Sequence, residues 1–294
     1  MLFILPRIKY VLPAAVLALT LVTSKAQSEP GASSLPEDGD ELVQLVASKL
    51  RQHVSISANV RHRIHLFGQH LVGTGMYFQL RMEDRMLINM TLKTQLDDHQ
   101  SSLQQVSDGT YHWIRRHDPD TTDLTRIDMR RVRDHLSRQE LPSPQPLYSP
   151  AVNPGGLPAI VEQLLDMYEF GVAEPSTLYG VDVWAIRGTW RQPSSQDRKR
   201  VSSTSRKSSG SMPPDDVPHQ VILTLGCDDL FPYRWEYQDP FGSTLLSMLI
   251  YQVRINQPVD PNRFAFRPSS SGFKDGTDEY LEQIAVRHQR TVKR

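Results

Sequence analysis

The chain has 294 residues, and its 33 Lys and Arg balance 33 Asp and Glu. No global charge excess draws it to nucleic acid or acidic lipid, so those function classes have no support from net charge. One cysteine, Cys227, excludes an intrachain disulfide, and stability has to come from the core.

Arg7 and Lys9 precede an uncharged apolar run, 10–22, and Ser24 and Ala26 then offer small residues at a cleavage site. Positive charge, apolar run and small-x-small site together form an export signature. The run has 13 residues, against the roughly 20 that a spanning helix needs. The expectation is a signal peptide over 1–26 and an exported, soluble protein, periplasmic or otherwise extracytoplasmic, with no transmembrane span after cleavage. Loss of Arg7, Lys9 and Lys25 leaves 30 basic residues against 33 acidic ones. Residues 27–40 are polar and rich in Pro, Gly and Ser, as in a flexible leader.

Asp40 is placed to cap a helix running to about His53, with Leu42, Leu45, Val46 and Leu50 at helical spacing. Residues 55–96 change to a period of two. Val72, Met76, Phe78 and Leu80 share one face of a predicted strand, and Met86, Ile88, Met90 and Leu92 share one face of the next. That alternation belongs to antiparallel sheets with one apolar face. Strands are also predicted over 101–106 and 110–116, joined by a turn at Asp108-Gly109, and a very basic helix over 129–139.

The proline-rich passage 141–158 has no period, and the clearest helix follows it. Its stripe is Leu157, Ile160, Val161, Leu164, Leu165 and Tyr168, with Pro158 in the first turn and Gly171 as a stop. Strands return at 178–190, 219–225, 231–237 and 244–255, the last with Leu245, Leu249, Tyr251, Val253 and Ile255 on one face. Between the first two of these, 192–218 is Ser-rich and basic, and reads as a disordered insert in a hairpin or a basic docking segment.

Grouped strands with few helices predict an α+β, mainly β fold, a curved antiparallel sheet covering a few helices. The predicted organisation is a single domain over 41–268 and a C-terminal tail, 269–294, with a possible short helix. No nucleophile elbow, zinc helix, phosphate loop or dinucleotide fingerprint is present. The pairs Asp97-Asp98, Asp215-Asp216 and Asp228-Asp229 sit at turns, where acids act as solvated turn-formers. His62 and His65 point to opposite faces of a strand and cannot chelate one ion together. Cys227 lies beside Asp228 and Asp229, which raise a thiol pKa. No enzyme activity, catalytic residue, metal site or cofactor is expected.

Three stretches, in order, resemble the LolA-like periplasmic lipoprotein carriers. They are Val106-Ser107-Asp108-Gly109 followed by Trp113; Leu230-Phe231-Pro232 followed by Asp239-Pro240-Phe241-Gly242; and Asp260 to Pro268, with Phe264 and Phe266 in a Phe-x-Phe strand that closes the sheet. The resemblance implies a half-open β-barrel with an apolar cavity for acyl chains. In those carriers an arginine ending an early strand is tied to opening and closing; Arg81 stands in that place, with Met82 where the family has proline.

The functional expectation is a non-catalytic envelope binding protein holding a lipoprotein, lipid or other amphiphile. Candidate lining residues are Met76, Phe78, Met90, Leu164, Tyr168, Trp184 and Trp235, and Arg81 is the gating candidate. The alternative is a regulatory or scaffold module that grips another envelope protein, for which 198–207 and 130–138 offer basic contacts.

Overall fold

Asp38, not Asp40, starts the first helix. In α1 (Gly39–Gln52) its carboxylate accepts from the N–H groups of Asp40 and Glu41, at 2.7 and 3.2 Å. This caps the orphan donors of the first turn and leaves Asp40 free for a tertiary role. The computed structural model describes residues 35–66, 69–83, 85–96, 99–139, 154–191, 218–268 and 272–282. The predicted signal peptide 1–26, most of the leader, and 192–217 of the insert lie outside the described residues. The described residues from Pro36 onward belong to one compact unit.

Two antiparallel meanders make up one sheet. The first is β1 (Ser55–Leu66), β2 (Gln69–Met82), β3 (Arg85–Leu96), β4 (His99–Ser107), β5 (Tyr111–His117) and β6 (Thr122–Asp128). Helices α2 (Met129–Gln139) and α3 (Gly156–Met167) come between the meanders. The second is β7 (Tyr168–Phe170), β8 (Glu174–Leu178), β9 (Val181–Trp190), β10 (Gln220–Gly226), β11 (Pro232–Gln238) and β12 (Thr244–Ile255). β12 returns to pair with β1 in the middle of the sheet, and β13 (Lys274–Asp275) adds to β6 in parallel. The order runs from β13 and β6 at one edge to β9, β7 and β8 at the other, so the sheet is open. The mainly β, curved-sheet expectation holds, and part of the predicted tail belongs to the sheet.

The helix-covered inner face is set by register. Tyr77 pairs with Met90, and Gln79 with Ile88; Met90 pairs in turn with Gln105. All of these side chains are buried. Leu246, Met248 and Ile250 extend the face on β12, Trp235 and Tyr237 on β11, and Val221, Leu223 and Leu225 on β10. α3 docks here, and α1 packs on α3 with Leu42, Val43, Val46, Ala47 and Leu50 buried.

Two predicted faces are corrected. On β2, Val72, Met76, Phe78 and Leu80 point outward, and the inner positions are Gly73, Gly75, Tyr77 and Gln79. α3 comes so close that a Cβ on Gly156 would lie 2.4 Å from Gln79 Oε1, so this part of the inner face consists of small and hydrogen-bonding residues. On β12, a bulge at Gln252 (φ 52°) shifts the phase. Leu249 and Tyr251 therefore face outward while Ile255 faces inward, because one extra residue exchanges the faces.

The predicted Phe-x-Phe strand is also corrected. Pro261–Phe264 forms a 3-10 turn capped by Asp260, and Phe264 is buried. Phe266 stacks on Trp113 at 5.1 Å and Phe273 meets it edge-on at 5.3 Å, on the outer face. Phe266 and Phe273 thus cover Trp113 at one end of that face, whereas Tyr280 and Leu281 pack, with Ile114, against the buried cluster around Ile127. The turn at Asp108-Gly109 is as expected, with Asp108 Oδ1 accepting from Thr110 and Tyr111 and Gly109 at φ 82°.

Candidate functional site

Sequence-selected residues divide between the two faces. Met90 is 1% exposed on β3, Trp235 7% on β11, Leu164 1% on α3, and Tyr168 0% where α3 passes into β7. Tyr168 meets Trp190 edge-on at 5.9 Å and Tyr237 at 6.4 Å, and its hydroxyl donates to Pro218 O at 3.1 Å. Trp184, half-buried, shares alternation with Ile186 and pairs with Leu225. These five lie on the inner, helix-covered side. Met76 and Phe78 do not join them: Met76 is 46% exposed on the outer face, and Phe78 lies beneath the Arg263 guanidinium at 4.5 Å.

The roof over the inner face is fastened at its ends. Tyr77 OH donates to Gln79 Oε1 at 2.6 Å, and both oxygens accept from Leu157 N–H at 3.2 Å. Since Gly155 offers α3 no side-chain cap, the sheet supplies the missing acceptors. Burial raises the Tyr77 hydroxyl pKa far above its ordinary value, against the Leu157 hydrogen bond that lowers it, so the hydroxyl stays protonated.

At the other end of α3, Arg191 Nε donates to the carbonyls of Leu165 and Tyr168 at 3.0 and 2.9 Å. Its terminal nitrogen pairs with Asp40, whose other oxygen accepts from Phe170 N–H at 2.8 Å. One ion pair thus joins the start of α1, the end of α3 and the end of β9. α1 also approaches the backbone closely there, since a Cβ on Gly39 would lie 1.9 Å from Gly171 O. At the far end of α1, Arg81 donates to Gln52 O at 3.2 Å, and Val54 N–H donates to Asn256 Oδ1 at 2.7 Å. Arg51 and Glu162 form a further pair between α1 and α3.

Arg81, chosen by resemblance, therefore holds the C-terminal end of α1. Sequence reasoning missed Asp40, Arg191, Tyr77 and Gln79 as fasteners. The available signal was the spacing of Tyr77 and Gln79, two apart in a glycine-flanked strand.

Buried imidazoles also line the inner face. His112 is 1% exposed and pairs with Ser107 and Ile127, and its Nδ1 has no hydrogen-bond partner among the described residues. Burial lowers its pKa to about 4. His62 Nε2 lies 3.0 Å from Thr94 Oγ1, and burial lowers its pKa as well. His65 is on the opposite face, stacked on His70 at 4.1 Å. The Cys227 thiol is raised by burial and by the nearby charges of Asp182 and Asp228.

No family model matches the sequence, and no curated protein matches it. Several solved structures resemble it. A LolA superfamily protein from Nitrosomonas europaea is 11% identical, with a TM-score of 0.28 over 78% of this chain and 98% of that one. Mycobacterium tuberculosis lipoprotein LppX is 12% identical, with a TM-score of 0.37 over 75% of this chain and 95% of that one. A structure of the Pseudomonas aeruginosa MucA/MucB complex contains a chain 15% identical, with a TM-score of 0.39 over 77% of this chain. This chain spans 60% of that protein's length. The reading of the site rests on this chain's own geometry. Among the described residues, no helix is long and apolar enough to cross a membrane.

Proposed function

We propose that this chain is a non-catalytic, exported binding protein of the cell envelope that takes the acyl chain of a lipoprotein, lipid or other amphiphile against the inner face of its sheet. The supporting observation is an open sheet whose apolar inner face is roofed by two short helices fastened by polar contacts at their ends. Met90, Leu164, Tyr168, Trp184 and Trp235 line the site when the roof lifts. Arg81 and the Asp40–Arg191 pair are the fasteners that give way.

Magnitudes make the exchange workable. Leu42, Val43, Val46 and Leu50 are at most 1% exposed on α1. Returning four such side chains to water costs about 10 kcal/mol. A 14-carbon acyl chain laid on the vacated surface regains about 11 kcal/mol, at about 0.8 per methylene. A short or polar ligand does not offset the cost, so the site selects long chains.

The test is native mass spectrometry of protein purified without detergent from its envelope fraction, followed by solvent extraction. Co-purifying acyl chains support the proposal. Ligand-free protein that also fails to take up added long-chain fatty acid contradicts it.

A further inference from the structure

The outer face carries charge that the balanced composition conceals. Strands β1, β2, β3, β4, β5 and β12 contain no Asp or Glu. Arg61 and Arg63 stand two apart on β1 and so project from the same side, roughly 7 Å apart. Register places Lys93 beyond Thr74 on one flank of Arg61, and Arg234 beyond Leu249 on the other. Neighbouring strands lie about 5 Å apart, so each flanking cation is roughly 10 Å from Arg61. Arg115, on β5, extends the patch.

Arg234 is the member of this group with a carboxylate partner, Glu236 on its own strand. Arg61, Arg63, Lys93 and Arg115 are exposed and make no ion pair among the described residues. Apolar groups stand among them: Val72 is 42% exposed, Met76 46% and Tyr251 36%.

We propose that this outer face docks onto an anionic bilayer surface. The cations spread in two dimensions across β11 to β5, as lipid phosphates do, whereas an extended acidic peptide presents its charges along one line. The interleaved Val72, Met76 and Tyr251 favour lipid further. They enter the headgroup boundary of a bilayer but stay in water against an acidic polypeptide. The inner face, turned the other way, remains free for its own ligand.

The test uses the full-length chain in flotation with vesicles of equimolar phosphatidylcholine and phosphatidylglycerol, and with phosphatidylcholine alone. Binding is expected to require phosphatidylglycerol and to weaken with salt. The R61Q/R63Q/K93Q triple variant loses three surface cations worth roughly fivefold each, so its partitioning should fall on the order of 100-fold. Its melting temperature should not move, and the R61K/R63K variant should still bind.

Three results overturn the proposal. The first is binding indifferent to phosphatidylglycerol, which the apolar run 10–22 alone would give. The second is a folded triple variant that floats like the parent. The third is a polyglutamate chain that binds in place of the vesicles.

Discussion

Removing the Asp40 carboxylate should loosen the roof in a graded way. In Asp40→Ala, Phe170 N–H loses its acceptor and the Arg191 guanidinium loses its counter-charge, keeping the Leu165 and Tyr168 carbonyls. The side chains of Arg191 and Asp40 are 30% and 33% exposed, so water replaces part of what is lost. The stranded N–H costs about 1–2 kcal/mol, and a partly screened ion pair adds at most about 1. A total of about 2 kcal/mol corresponds to a fall in Tm of roughly 4–8 °C for a domain of this size. Asp40→Asn keeps an acceptor for Phe170 and loses only charge, so it should lie near half that value. The Asp40→Ala, Arg191→Ala double variant should be less damaging than the sum of the singles by about 1 kcal/mol. Circular-dichroism melts measure the wild type, Asp40→Ala, Asp40→Asn, Arg191→Ala and the double variant, and a dye for exposed apolar surface reports lifting of the roof. Equal stability of Asp40→Ala and wild type, or strictly additive single effects, would refute the fastening role.

Stability should also fall with acid through His112. Its native pKa of about 4 lies below the ordinary 6.5, so the unfolded chain binds the proton first as pH drops. The contribution is present above 6.5 and should be lost progressively below it, by about 2 kcal/mol between pH 7 and pH 5. Denaturant melts of His112→Gln should show a flatter slope, with the remainder from His62 and His53, whose pKa values burial also lowers; an unchanged slope contradicts the assignment. Gly156→Ala should cost more than Gly242→Ala, although both have positive φ, at 73° and 84°. The Gly242 site has nothing within 4 Å, whereas at Gly156 the new Cβ meets Gln79 and Tyr77, so the difference should exceed about 1 kcal/mol in thermal melts. Trp113→Ala removes the surface on which Phe266 and Phe273 pack, and limited proteolysis should then cut first beside Phe266 or Phe273.

The helix stripes and the hairpin turn were readable because they depend on neighbours in sequence. Leu157, Val161 and Leu164 bury as their spacing implies, and Asp108-Gly109 turns as its chemistry requires. Faces were less secure. Hydropathy ranks Met76 and Phe78 above Gly75 and Gln79, yet proximity to α3 demands glycine and a hydrogen-bonding side chain. At Gln252 a single positive φ exchanges the faces of β12, and no local pattern marks it. The short strands β7 and β8 and the Asp40–Arg191 pair are tertiary, joining residues 151 positions apart in the pair's case. The outer-face cations were legible in part, since Arg61, Arg63 and His65 alternate. Their alignment with Lys93 and Arg234 needed the register.

The central claim is that a long chain reaches the inner face, and Trp235 reports it. In a protein keeping only that tryptophan, with Trp113, Trp184 and Trp190 changed to Phe, a monomeric brominated fatty acid is titrated while emission is followed. Saturable quenching of Trp235, with none in a matching protein that keeps only Trp113 on the outer face, is the predicted result. No quenching of Trp235, or equal quenching at both positions, would contradict the account.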